Sequence, residues 1–162
     1  AAFCYNIPKQ KGMERADITK ENSEFRFAAD HTAWPVNSAQ GIYAKTTIRR
    51  IKPGCERPLP VQIADDVFLA LGEAKLVDAA RMKFAPLSGV INSLVTHLDG
   101  STDGALPLTT PWRFVMAAES AGRLLENNFM VLNLNDPCVI ADTSWIKPGK
   151  VIREVTLTTE GG

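Results

Sequence analysis

At 162 residues the chain is long enough for one domain that buries roughly 70% of its unfolded surface. Apolar residues make up 45% and charged residues 22%, the balance of an ordinary globular protein, with 18 basic side chains against 18 acidic ones. A neutral chain without basic runs lacks the electrostatic footprint of a nucleic-acid binder. No apolar stretch reaches the ~20 residues a membrane-spanning helix needs, so neither nucleic acid nor membrane is an expected partner.

In chain order, the first segment, Ala1-Ala-Phe-Cys-Tyr-Asn-Ile-Pro8, has no charged run leading into an apolar core, and no signal peptide is expected in it. Glu24 to Ala28 alternates with period two and reads as a strand. Gly41 to Ile51 is rich in β-branched residues and reads as a longer strand, closed by the turn chemistry of Lys52-Pro-Gly54. Val61 to Ala64 and Val67 to Leu71 flank Asp65-Asp66, the spacing of a tight hairpin. Further strands are expected at Arg81–Ala85, Val90–His97, Pro111–Ala118, Met130–Asn133 and Val151–Thr158. Turn residues separate several of these at Leu98-Asp-Gly100, Asp103-Gly104 and Asn135-Asp-Pro137. One short helix is expected, capped by Ser120, carried by Arg123 to Glu126 and ended at Asn127-Asn128. About nine or ten strands with one short helix predict an all-β chain folded as a β-sandwich.

The Val67 to Gly72 segment is apolar on both parities: Val67, Leu69 and Leu71 point one way, Phe68 and Ala70 the other. Such a strand is covered on both faces, and further β-layers are the expected second cover. Without one, the chain would expose apolar surface and self-associate through strand edges. Glu73 shares the parity of Leu69 and Leu71, so a carboxylate stands on an apolar face, where it needs a cation, hydrogen bonds or a metal. Lys75, Arg81 or water are the ordinary partners. Gly72 beside it permits close approach. The other carboxylates are scattered, and no pair stands out as the acid and base of a hydrolase. Cys4, Cys55 and Cys138 are odd in number and widely spaced and form no CxxC metal or redox pattern; buried thiols are expected, with one disulfide among them as the alternative. His31 and His97 have no ligand spacing. Trp34, Trp112 and Trp145 have flat faces that suit a pyranose ring, although tryptophan in such patterns more often fills a core or a joint.

The runs Thr110-Pro-Trp-Arg113, Leu124-Leu-Glu-Asn-Asn128, Leu132-Asn-Leu-Asn-Asp-Pro-Cys138 and Thr143-Ser-Trp-Ile-Lys-Pro-Gly-Lys150 resemble glycoside hydrolase family 97, which holds bacterial α-glucosidases and α-galactosidases. Gly54-Cys-Glu-Arg-Pro-Leu-Pro, with the following Val61 to Asp65 and Glu73-Ala-Lys-Leu-Val-Asp78, is similar to the same family's N-terminal domain. The resemblance spans residues 25 to 162. It implies that residues 1–146 are a β-sandwich segment of that domain, part of a larger super-sandwich, and that 147–162 are the junction and first strand of a (β/α)8 barrel. The alternating strand at Val151–Thr158, followed by Gly161-Gly162, then reads as the opening of a barrel, and the chain as a piece of a longer protein.

By the same resemblance the catalytic carboxylates lie on the barrel, so no catalytic residue is assigned within this chain. Glu73 would lend one ligand to a calcium ion in the intact parent. Calcium takes six to eight oxygens, which one glutamate cannot supply. Trp145 and Lys147 would face the domain interface, and Trp34 is the candidate for substrate contact. The parent would act on α-linked oligosaccharides in the periplasm or outside the cell, with the barrel as this domain's partner. The chain alone is expected to be inactive and to have negligible sugar affinity. Two other readings remain open. One is a stand-alone carbohydrate-binding sandwich whose affinity falls when Trp34 or Trp145 becomes alanine; the other is a structural β-protein that assembles with copies of itself.

Overall fold

The computed structural model describes residues 1–37 and 41–149. Thirteen strands appear in chain order among them. They are β1 (Ala2–Phe3), β2 (Asn6–Ile7), β3 (Arg15–Ile18), β4 (Glu24–Arg26), β5 (Thr32–Ala33), β6 (Thr46–Thr47), β7 (Leu59–Ala64), β8 (Val67–Ala74), β9 (Arg81–Pro86), β10 (Ser93–Asp99), β11 (Thr102–Ala105), β12 (Leu108–Thr109) and β13 (Trp112–Ala118). Two short helices follow, α1 (Ala121–Glu126) and α2 (Phe129–Asn133). All pairings are antiparallel. A six-stranded sheet runs β1-β13-β8-β7-β5-β6 and a three-stranded sheet runs β4-β10-β9, with two small ribbons, β11-β3 and β12-β2. The all-β sandwich expected from the sequence is the fold observed.

The main core lies between the two larger sheets. Phe25, Leu59, Val61, Leu71, Met82, Phe84 and Leu94 form its centre, and every one of them is buried. A second cluster fills the opposite face of the six-stranded sheet, where Ala70, Ala74, Phe114 and Met116 pack beneath Leu124 of α1 and Met130 and Val131 of α2. Strand β8 is therefore covered on both faces, as its double parity predicts. The cover on the second face comes from this chain's own helices rather than from another β-layer. Gly72 is part of that fit. It stands opposite Phe114 across the β8–β13 pair, and a Cβ there would lie 2.5 Å from the ring's Cζ.

The Asp65-Asp66 turn joins β7 to β8 as expected, and α1 begins where expected, with the Ser120 side chain accepting a hydrogen bond from Arg123 N at 3.2 Å. Three expectations are corrected. The strand predicted over Gly41–Ile51 shrinks to Thr46–Thr47 and gives way to a 3-10 turn at Ile48–Arg50. That single turn puts Ile48 and Ile51, three residues apart, into the core together, while Asp30 accepts from Arg49 N at 2.9 Å. Met130–Asn133 is helical rather than extended, because Met130, Val131 and Leu134 recur at helical spacing and cover the sheet. The strand expected from Val90 starts only at Ser93, since Leu87 to Val90 closes a turn and Asn92 has φ 54°. The strand expected at Val151–Thr158 lies outside the described residues.

Candidate functional site: a charged seam between the sheets

Glu73 sits near the end of β8, on the face turned toward the second sheet, and its carboxylate is only 3% exposed. Its Oε2 accepts from the Met82 backbone N–H at 3.1 Å. Strand β9 is an edge of its sheet, so this bond satisfies a buried donor that no neighbouring strand would reach. The same oxygen accepts from Arg113 Nη1 at 2.9 Å. The other oxygen, Oε1, makes an ion-pair contact with Arg57 Nε. Arg113 lies opposite Glu73 in the β8–β13 register and is 1% exposed. Its remaining edge grips Glu21: Nη2 donates to Oε2 at 2.6 Å and Nε to Oε1 at 3.0 Å. Ser23 Oγ donates to Glu21 Oε1 at 2.7 Å and lies 2.9 Å from the Tyr5 hydroxyl.

Toward solvent the seam continues. Arg57 Nη1 donates to Glu56 Oε2 at 2.6 Å. Lys83 Nζ and Arg81 Nη2 stand 3.4 Å and 3.5 Å from Glu56 Oε1. Both also reach Asp99 Oδ2, at 3.1 Å and 2.7 Å. The hydrogen bond from Arg81, reinforced by Lys83, holds the Asp99 carboxyl below the usual carboxylate range. Glu21, Glu56, Glu73 and Asp99 thus answer Arg57, Arg81, Lys83 and Arg113, one carboxylate for each cation. Burying such charges is tolerable only when each is paired and hydrogen-bonded. The outer end opens into a cavity of about 400 Å³ lined by Asn37, Tyr43, Glu56, Arg57, Arg81 and Lys83, among others.

The chemistry open to this arrangement is limited. Cleavage of a glycoside needs two carboxylates across one bond, and the cavity has a single one, Glu56, which Arg57 already holds. Among the described residues no three His, Cys, Asp or Glu side chains gather as a metal site. Both oxygens of Glu73 face guanidinium groups, and a calcium ion there would meet two positive charges at contact range. The described residues therefore do not fit calcium at Glu73.

The remaining predicted residues are dispersed. Trp34 is half-buried and stacks on Phe68, with ring centroids 6.2 Å apart and planes 27° apart. Phe68 projects from β8 on the opposite parity to Glu73, so the sheet separates Trp34 from the charged seam. Trp145 is 45% exposed, and its indole donates to Asp142 O at 3.1 Å; Lys147 is exposed as well. Cys4, Cys55 and Cys138 are all free thiols, but only Cys55 is buried as expected; Cys4 is half-buried and Cys138 exposed. Sequence reasoning missed Arg113 as the partner of Glu73. The available signal was a charge within the apolar run Trp112 to Ala118, sharing the parity of Val115.

Comparison with known proteins agrees with this architecture. A probable retaining alpha-galactosidase of Streptomyces bingchenggensis is 28% identical over 167 residues, covering 93% of this chain and 24% of that protein. A glycoside hydrolase family 97 enzyme of Pseudoalteromonas sp. strain K8, solved in complex with acarbose, is 30% identical and superposes with a TM-score of 0.79 over 91% of this chain and 23% of the enzyme. A beta-arabinopyranosidase at 20% identity shares the fold alone, with a TM-score of 0.62 over 73% of this chain and 23% of that enzyme. The chain spans about a quarter of the length of these proteins. The family model for the glycosyl-hydrolase 97 N-terminal domain matches residues 1–137, and the chain belongs to glycoside hydrolase family 97 as that N-terminal domain.

Proposed function

We propose that the chain is the non-catalytic β-domain of an α-glycosidase that removes terminal α-glucosyl or α-galactosyl units, and that it packs against a catalytic barrel. The carrying observation is that the described cavity has one carboxylate, held by an arginine, where hydrolysis needs two. The reaction itself then belongs to a part of the protein outside these residues. The curated relative named as an α-galactosidase supports the α-linkage. The large apolar side chains left at the surface of the two helices and of the segment that follows them support docking on a further domain: Leu125 is 80% exposed, Phe129 68% and Ile146 61%.

The test compares this chain with the polypeptide encoded in frame through and beyond Gly162, both assayed on p-nitrophenyl α-glucoside and α-galactoside. Turnover is expected from the longer polypeptide only. Hydrolysis by the 162-residue chain above the buffer rate would refute the proposal, and so would a longer polypeptide without activity on either substrate.

A further inference from the structure

The cavity at the outer end of the charged seam has a composition that narrows what it can hold. Three cations face it, Arg57, Arg81 and Lys83, yet Glu56, Glu73 and Asp99 contact those same three groups. A phosphate or a peptide carboxylate would gain no net attraction there, and one carboxylate is too few for a divalent cation. An apolar ligand would have to strip water from half-buried ions: Glu56, Arg57 and Lys83 are 14%, 18% and 19% exposed. A neutral polyhydroxylated ligand suits the wall, because each hydroxyl both donates and accepts. Vicinal hydroxyls can give to the Glu56 carboxylate and receive from the Arg57 and Lys83 heads. Tyr43, 55% exposed, lines the same cavity and offers an aromatic face and a phenol.

Arg57 is also held from behind. Its Nε faces Glu73, which is fixed by Arg113, which is gripped in turn by Glu21. A donor locked by a buried chain of ion pairs loses little freedom when a ligand arrives. The volume of about 400 Å³ falls in the range of small-ligand sites.

We propose that this cavity binds one sugar ring of an α-linked oligosaccharide, with Glu56, Arg57 and Lys83 hydrogen-bonding its hydroxyls and Tyr43 flanking it. The α-linkage rests on the glycosidase reading above; the sugar class rests on the cavity. The site is distinct from Trp34 and Trp145, and it replaces the negligible affinity expected from the sequence with affinity on the order of millimolar.

The test is an NMR titration of the 15N-labelled chain with maltose, melibiose and, as a β-linked control, cellobiose. Maltose or melibiose should shift the Arg57 and Arg81 side-chain Nε–H resonances and the backbone around Tyr43 and Lys83. Lys83→Gln and Tyr43→Ala, both at partly exposed positions, should each weaken binding about tenfold, while Lys9→Gln leaves it unchanged. Silence at those resonances up to tens of millimolar sugar overturns the site. So does equal affinity in the folded Lys83→Gln and Tyr43→Ala variants. Cellobiose binding as tightly as maltose overturns the α-linked assignment. A blank titration leaves hydrolysis by the longer polypeptide untouched, whereas hydrolysis by the chain itself removes the non-catalytic reading and leaves this titration standing.

Discussion

Replacing Arg113 by methionine tests a charge buried at the centre of this fold. The guanidinium is 1% exposed and bridges Glu21, 6% exposed, to Glu73, 3% exposed. Methionine fills much of the same volume but leaves Glu21 with Ser23 Oγ as its remaining partner and Glu73 with Arg57 and the Met82 amide. Breaking a buried pair from one side costs about 3–5 kcal/mol, against a total stability of about 5–15 kcal/mol for a domain. The double change Arg113→Met with Glu21→Gln removes the stranded charge. It should recover about 1–3 kcal/mol relative to the sum of the single changes. Urea unfolding followed by tryptophan fluorescence and far-UV circular dichroism reads both values. Arg15→Ala, at an exposed 2.6 Å pair with Asp103, provides the contrast and should leave the midpoint unchanged. A loss below about 1 kcal/mol for Arg113→Met, or strict additivity in the double variant, would refute the claim that these ions act as one buried unit.

Gly72→Ala should destabilise by about 1–3 kcal/mol, because a Cβ 2.5 Å from Phe114 Cζ must push a buried ring aside; an unchanged urea midpoint would show that the ring has room to move. Burial pushes the Cys55 thiol up from 9.0 to about 11. The folded state therefore favours the protonated thiol, and that share of stability is complete below pH 9.0 and lost as the pH rises toward about 11. Cys55→Ala should flatten the fall in urea midpoint over that window, and a parallel fall in both proteins would contradict the burial argument. Calcium in millimolar excess should leave the melting temperature of the chain unchanged, since both Glu73 oxygens face arginines; a rise of several degrees would reveal a site these residues do not display.

The sheet was legible where hydrophobic periodicity and turn chemistry agreed. Val67 to Leu71 is apolar on both parities, and β8 does carry a core on each face. The hairpin at Asp65-Asp66 and the Ser120 cap are local features, fixed by residues adjacent in the chain. Failures came where tertiary packing overrode a short local pattern. The β-branched run before Ile51 looks extended, yet burying Ile48 and Ile51 together requires a single turn. Met130 to Asn133 has strand-like composition, but an uncovered sheet face lies beneath it, and a helix brings Met130 and Val131 onto that face.

The charged seam was half legible for a related reason. Parity alone places Glu73 on an apolar face and demands a partner for it. Which cation answers depends on pairing β8 with β13, strands separated by β9 to β12 in the chain. Nothing in the spacing of Glu73 and Arg113 announces that they stand opposite each other. Lys75 and Arg81, the partners nearest in sequence, are drawn instead to Asp136 and Asp99. Arg57, in a loop after the 3-10 turn, reaches Glu73 only because β7 pairs beside β8 and carries that loop to the seam. A carboxylate that was conspicuous as a candidate metal ligand thus turns out to be the middle of a neutral chain of charges. Its chemical consequence lies one residue further out, at the arginine it holds against the cavity.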